Sequence, residues 1–477
     1  MFMNAYTDPT WRKGLFYFLN DRAYNFYNAD HLYAGLQKAV DEDFSINTPN
    51  VTAIMRSWEM QAGFPLITVR RLDNEISFYQ ERFFYGDEVS ENIYWIPVNY
   101  ATASSPNFAV TAPDFWMSTR TARIELQSAP KPWAANDWII VNLQQTGYYR
   151  VNYDDSLWES IIRQLNAPGS GFTAINSLNR AQLIDDSFHL ARAKKIGFGV
   201  MMKIMNYLEG EDDYVPWAMT NRAHNLLNRW LTGTVVHPNY QRFILNNVKL
   251  LYTRLGVRNV QNEMRVNRYA RAIAINLACQ AGSVSCLNET RQELVTFIRT
   301  QTPIAPDLEA TIYCNGIRRA NLLTVTYMQY FLLTSPRPRQ RNMVISGLGC
   351  IESPQILLSH LSFALEPFEL SNSERSSILL SPLNHGDTSL RVMMDFIREN
   401  YEKINFFNPN QVAILCSNIA ARVSSDPMFQ EFNSLLTRMQ LVRAITINQA
   451  NTYRSSARVI MLWQDENLDD FIRFFSS

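Results

Sequence analysis

The sequence predicts a mostly α, α+β multidomain protein in which a small antiparallel β-sandwich precedes a large α-helical solenoid or bowl. Between residues 63 and 153 apolar and polar side chains alternate with period two, and aromatics are frequent. From residue 154 the apolar residues recur with the helical period almost to the end. The change of period falls inside one stretch, DWIIVNLQQTGYYRVNY at 137–153, whose two alternating runs around Gln-Gln-Thr-Gly read as a closing hairpin. A chain of 477 residues, 47% hydrophobic and 18% charged, is globular rather than disordered. Lys+Arg and Asp+Glu balance at 44 each, so no global field draws in nucleic acid, and none is expected as a partner. No run reaches the roughly 18 apolar residues of a membrane span.

Residues 1–62 read as three short helices. Asp8-Pro9-Thr10 is a start signal ahead of Leu15, Phe16, Phe18 and Leu19, because Asp caps and Pro suits a first turn. Asn28 precedes a run with Leu32 and Leu36, and Asn50 precedes Val51, Ile54, Met55 and Trp58 at helical spacing. Three such helices bury too little to stand alone. Their apolar side chains Leu15, Phe16, Phe18, Leu19, Leu32, Leu36 and Trp58 are therefore expected on a bare seam, and a chain starting near Gly63 is expected to be more soluble.

Residues 63–153 form the sandwich. Strands are predicted at 66–70, 75–84, 94–98 and 119–126, then in the hairpin, with turns at 104–107 and 129–132. The aromatics on these strands are read as core. Residues 154–477 form the helical domain, opened by Asp154-Asp155-Ser156 as cap residues. Some fourteen to sixteen helices with short loops are expected, among them 178–193, 198–208, 217–231, 266–280, 355–363 and 390–401. Paired helices over this length suggest stacked two-helix repeats.

Groups that could do chemistry are few. A zinc peptidase needs two imidazoles one turn apart on a helix with a carboxylate between them. The six histidines are His31, His189, His224, His237, His360 and His385; no two lie four apart and none opens an H-E-x-x-H. Each reads as a surface or satisfied residue, so no catalytic and no metal residue is expected. Asp185-Asp186 on a helix could form an acid–base pair, but adjacent helical residues point about 100° apart, and pairing with Arg180 or Arg192 is the expected use. Glu209, Glu211, Asp212 and Asp213 read as a solvated acidic loop, as does the basic run with Arg337, Arg339 and Arg341. Cys416 sits in an apolar run and is expected to be buried and inert. Spacing alone leaves Cys279, Cys286, Cys314 and Cys350 open between buried thiols and disulfides. Asn50 and Asn288 open N-glycosylation sequons.

GYYRVNYD followed by a Trp-bearing helix resembles the signature that ends the β-sandwich of the aminopeptidase N family of zinc metalloaminopeptidases. WEMQAGFP at 58–65 and NRAQLIDD at 179–186 extend the resemblance, which covers nearly the whole chain and weakens beyond about residue 371. It implies three domains: 1–62 as the helical tail of a thermolysin-like catalytic domain, 63–153 as the β-sandwich, and 154–477 as the helical C-terminal domain. It also implies disulfides Cys279–Cys286 and Cys314–Cys350, an extracellular or cell-surface location, peptide substrates and, through the helical domain, a homodimer. Zinc is the family's cofactor, yet neither H-E-x-x-H nor the family's Gly-x-Met-Glu-Asn loop occurs in this sequence.

The resulting expectation is the non-catalytic C-terminal half of an extracellular zinc aminopeptidase, inactive alone, whose helical domain walls the substrate chamber. The alternative is a non-enzymatic extracellular binding protein derived from an aminopeptidase. The start lacks the basic and apolar regions of a secretory signal and the end lacks a lipid-anchor pattern, so sequence ahead of Met1 is expected.

Overall fold

The computed structural model describes residues 1–44, 49–72, 75–125 and 137–476. The chain divides into two compact units, Met1–Tyr207 and Leu208–Ser477.

The first unit begins with four helices where the sequence suggests three: Phe2–Tyr6, Asp8–Asp21, Ala29–Asp43 and Val51–Glu59. Side chains satisfy the first free amides of the last three. Thr7, rather than Asp8, receives the Thr10 N–H, Asn28 receives that of His31, and Asn50 that of Ala53. The helices Asp8–Asp21 and Ala29–Asp43 cross at two glycines; a Cβ on Gly35 would lie 2.8 Å from the Gly14 carbonyl oxygen, so only glycine permits this approach.

The bare seam expected on these helices is only partly bare. Leu36 is buried in a cluster with Phe2, Tyr6, Tyr33, Val40, Val51 and Ile54, and Leu32 and Trp58 pack against it. Trp95 and Trp116, from the strand region, pack on the same cluster. The helices thus share a core with the sheets, and the solubility gain expected on removing them does not follow. Exposed instead are Phe16 and Leu19, together with Tyr24, Phe26 and Tyr27 in the following turn.

Eight strands are described: β1 Pro65–Leu72, β2 Glu75–Arg82, β3 Ile96–Val98, β4 Tyr100–Thr102, β5 Phe115–Met117, β6 Thr121–Glu125, β7 Ile139–Val141 and β8 Arg150–Tyr153. Four form a sheet in the order β6-β2-β1-β8; β3 pairs with β5 and β4 with β7. All pairings are antiparallel except β1 with β8, which is parallel. Residue 126 and the turn expected at 129–132 lie outside the described residues. Gln80 shows how a polar residue joins the core: its Nε2 donates to the Tyr94 and Thr119 carbonyls, and its Oε1 accepts the Tyr94 N–H.

The closing hairpin is a correction. β7 and β8 do not pair with each other but enter different sheets. Asn142, Gln144 and Gln145 all adopt positive φ, and a short 3-10 turn Leu143–Gln145 swings the chain away. Gly147 is required there, since a Cβ would fall 2.1 Å from the Tyr149 ring. What links the two strands is a side chain: the Val141 N–H donates to the Tyr153 hydroxyl at 3.0 Å. Asp154 then caps the helix Asp155–Leu165, and Ser177–Arg192 and Phe198–Met205 follow.

From Asp155 onward seventeen α-helices are described, slightly more than expected. In the second unit Arg265–Gln280 packs on both Tyr214–Leu231 and His237–Leu255. Beyond them two layers form. Glu309–Ile317, Pro338–Leu348, Asn372–Leu380, Gln411–Ala420 and Ile447–Ser456 contact one another in succession. Leu322–Thr334, Pro354–Phe363, Asp387–Phe407 and Asp426–Leu441 make the second succession. Most of these helices pack on a sequence neighbour as well as on the helix two along, the packing of a two-helix repeat. Within this array Cys279 is joined to Cys286, and Cys314 to Cys350.

Candidate functional site

The polar cluster closest to a catalytic pattern surrounds Asp185 and Asp186. The helix Ser177–Arg192 lies on β8 and on the turn before it, which its side chains bind directly. Asn179 accepts the Gln144 N–H at 2.9 Å and donates to the Asn142 carbonyl at 3.0 Å. Arg150 Nη1, on β8, donates to Asp185 Oδ2 at 2.8 Å and to Asp186 Oδ1 at 2.7 Å. Asp186 Oδ2 also accepts the Val151 N–H and Gln182 Nε2. The partner of the pair is therefore Arg150, not Arg180 or Arg192.

Burial pushes the Asp186 carboxyl up to about 6, against the pull of the Arg150 charge. Burial acts on Asp185 in the same sense, but the His189 hydrogen bond and Arg150 outweigh it and hold that carboxyl at about 2. Tyr85 completes the row, with its hydroxyl 2.6 Å from His189 Nδ1. Acid–base chemistry needs a carboxylate that can reach a substrate. Here one arginine and the β8 backbone occupy both, and the cluster clasps a helix to a sheet.

The zinc that the resemblance implies finds no fitting site. Among the described residues, one group of three candidate ligands comes together, Cys314, Cys350 and His385. Its two sulfurs are joined in a disulfide and offer no thiolate. The other imidazoles are spent singly. His31 bonds the Asn28 N–H, His237 meets Asn228, and His360 meets Gln329. His224 lies between Tyr240 and Gln280. No metal-assisted step can be built from these residues.

The acidic loop is not simply solvated. Glu211 is buried, its Oε1 accepts the N–H groups of Asp212 and Asp213, and Asp213 caps Tyr214–Leu231. The basic run likewise disperses. Arg337 and Arg339 are exposed, whereas Arg341, in the helix Pro338–Leu348, bonds Glu374 and the Leu332 carbonyl. Cys416 is buried, and burial pushes its thiol up to about 12, far from a nucleophile's range. Asn50 and Asn288 are exposed. Sequence reading missed one feature, a cavity in the helical unit lined by Arg229, Arg318 and Arg422. No motif spacing announces it, because Arg229 comes from one helix while Arg318 and Arg422 come from the turns after two others.

Together these features define a two-layer helical repeat protein with a small β-sheet region and an arginine–aspartate clasp between strand and helix. The profile of the ERAP1-like C-terminal domain matches residues 138–449. Aminopeptidase N of Plutella xylostella is 31% identical over 414 residues, 85% of this chain and 43% of that protein. Aminopeptidase N of Rattus norvegicus is 27% identical over 508 residues, covering 100% of this chain and 50% of its own length. Aminopeptidase Ey of Gallus gallus is 25% identical over 479 residues, 96% of this chain and 46% of that protein. The chain belongs to the ERAP1-like C-terminal domain family and corresponds to the C-terminal half of an aminopeptidase N family member. It spans about half the length of the relatives it matches.

Proposed function

We propose that this chain acts as the non-catalytic C-terminal half of an extracellular zinc aminopeptidase, with its helical unit walling the chamber in which peptides lose their N-terminal residue. In this reading the zinc and its ligands belong to a catalytic domain outside these 477 residues. The observation that carries it is the exposed strip of Phe16 and Leu19 on the helix Asp8–Asp21 and Tyr24, Phe26 and Tyr27 in the turn after it, 62–109% accessible, beside a cluster that buries the apolar residues of the neighbouring helices. Apolar side chains gathered in this way mark a face that another domain covers. The two disulfides support an oxidising, extracellular setting. Among the described residues no helix is long and apolar enough to cross a membrane.

The purified chain is expected to bind no stoichiometric zinc and to leave aminoacyl anilides intact. Co-expression with the catalytic half of the Plutella xylostella aminopeptidase N should restore hydrolysis. Phe16→Asp with Leu19→Asp should abolish that rescue while leaving the circular dichroism of the chain unchanged. Chelator-sensitive hydrolysis by the chain alone, or rescue indifferent to the two aspartates, would overturn the reading.

A further inference from the structure

Three segments of the helical unit converge on Cys314, Cys350 and His385. Cys314 lies in the helix Glu309–Ile317, Cys350 in the turn after Pro338–Leu348, and His385 directly after the 3-10 turn Ser381–Asn384. Two glycines permit the approach. A Cβ on Gly347 would lie 2.7 Å from the Tyr313 Cβ, and one on Gly349 would lie 2.6 Å from the Ser381 Cβ. The run Gly347-Leu348-Gly349-Cys350 thus presses one helix end against both neighbours. His385 Nε2 comes to 3.4 Å from Cys350 Sγ, and the ligand atoms of all three residues lie within 4.8 Å of one another.

The two disulfides of this unit differ in what surrounds them. Cys279 and Cys286 are both buried and lie beside the Thr290 hydroxyl and the Ile275 carbonyl. Cys350 is buried as well, but Cys314 is only half-buried, so an incoming thiolate can reach its sulfur. Attack there joins the reagent's sulfur to Cys314 Sγ and breaks the bond to Cys350, which leaves with the electron pair as a thiolate. Arg318, whose charge reaches His385, favours that anion. When the reagent is a dithiol, its second thiolate attacks its own first sulfur, closes a disulfide and releases Cys314. Two electrons pass from the dithiol to the protein.

The product is two thiols and an imidazole gathered around one point. A tetrahedral zinc-type ion, about 2.3 Å from sulfur and about 2.0–2.1 Å from nitrogen, sets those atoms about 3.5 Å apart. His385 Nε2 and Cys350 Sγ already stand at that spacing. Two thiolates cancel the charge of a divalent ion, so the complex is neutral and tolerates burial. Sulfur ligands also select a soft ion over magnesium or calcium. We propose that Cys314, Cys350 and His385 form a binding site for a soft tetrahedral divalent cation of the zinc type, masked while the Cys314–Cys350 disulfide is closed and opened when a dithiol reduces it. Both thiol protons pass to solvent as the ion binds. Three protein ligands leave the fourth position to water. The ion ties the same helix ends that the disulfide ties, so reduction exchanges one crosslink for another. The site lies within the helical unit alone and does not rest on the aminopeptidase reading.

Mild treatment of the folded full chain with a dithiol, removal of the reagent under argon and titration with cobalt(II) test the proposal. Peptide mapping should find Cys314 and Cys350 free while Cys279–Cys286 stays closed. The reduced chain should take up one cobalt, with a near-ultraviolet thiolate-to-metal band and the strong visible bands of a tetrahedral ion, and zinc should bleach both. The disulfide form should show neither. His385→Gln should weaken the reduced chain's cobalt binding about tenfold or more. Cys279→Ser with Cys286→Ser should keep the spectrum, and Cys314→Ser with Cys350→Ser should lose it. Because H385Q removes a residue packed in the helical unit, the nitrogen ligand is also read in the reduced parent, by X-ray absorption of bound zinc. Two sulfurs and a nitrogen are expected there, and a shell without sulfur or without nitrogen would overturn the site. So would a reduced parent with no thiolate-to-cobalt band, equal affinity in H385Q, or opening of Cys279–Cys286 ahead of Cys314–Cys350.

Discussion

The indole Nε1–H of Trp58 donates to the carbonyl oxygen of Trp95 at 2.8 Å. Ser57 Oγ accepts the Trp95 N–H, and Gln61 bonds both the carbonyl and the N–H of Ile93. The helix Val51–Glu59 and the turn after it thus supply the hydrogen bonds that a neighbouring strand would give to the segment 93–95. Trp58→Ala should remove both this bond and packing on Trp95, costing about 2–4 kcal/mol. Deleting residues 1–62 should go further, baring Trp95 and Trp116 and lowering the solubility of what remains. Urea unfolding followed by circular dichroism checks both; a chain starting at Gly63 with an unchanged midpoint would show the seam to be dispensable.

Arg150 is the counter-charge of the buried Asp186 and the half-buried Asp185, so removing it should cost more than an exposed pair would. Arg150→Met is expected to destabilise by about 3–5 kcal/mol at neutral pH, because Asp186, buried without its counter-charge, must hold its charge unpaired or take up a proton. The variant should recover as the pH falls. Asp186 is raised to about 6 with the arginine present. A raised carboxyl contributes stability fully present below its unfolded pKa and lost as pH rises through the folded one. Without Arg150 that window moves higher. Melting temperatures at pH 7.5 and pH 5 should therefore draw closer to the parent's at the lower pH; a deficit that widens at pH 5 contradicts the clasp.

The sequence made the helical array readable and left these pairings dark, for a physical reason. Periodicity is local: Leu36, Tyr33 and Val40 lie on one helical stripe and Phe16 and Leu19 on the opposite side of a neighbouring helix, whatever covers them. The partner of a strand is not local. Alternation in 137–153 gives two strands, but the positive φ angles at Asn142, Gln144 and Gln145 send β8 to β1 instead of back to β7. The same holds for Asp185 and Asp186, for which helix neighbours are the nearest arginines in sequence while the true partner sits on β8. Arg229, Arg318 and Arg422 share no spacing at all, and only the stacking of helices brings them to one cavity.

Cys314–Cys350 bridges the helix Glu309–Ile317 to the turn after Pro338–Leu348 and closes the longer of the two loops, with a separation of 36 residues. Replacing both cysteines with serine should cost about 2–4 kcal/mol, chiefly by freeing the unfolded chain. Cys416 is buried, and its thiol is pushed up to about 12, so it should resist alkylation until the helical unit opens. Mass spectrometry of a non-reduced digest, with and without denaturant before labelling, checks this. Rapid labelling of Cys416 in the folded chain would contradict its burial.

The helical unit should be acid-sensitive, and its buried histidines set the sign. Burial holds His224 and His360 down to about 4, and burial with the nearby Arg318 charge holds His385 down to about 3. In the unfolded chain each titrates near 6.5. Between those values the unfolded state takes up protons that the folded state refuses, so stability present above about 6.5 is lost as the pH falls toward 4. Each histidine contributes on the order of 3–5 kcal/mol at most. Asp186 in the first unit works the opposite way over part of this range, so unit-resolved calorimetry is the right probe. The transition of the helical unit should move to lower temperature between pH 7 and pH 5, while the first unit changes less. His224 bonds Tyr240 and Gln280 and His360 bonds Gln329 through one nitrogen, its Nε2 being buried without a partner, so glutamine can replace each with modest loss. His224→Gln with His360→Gln should flatten the pH slope of that transition; a slope as steep as the parent's would assign the acid sensitivity to other groups.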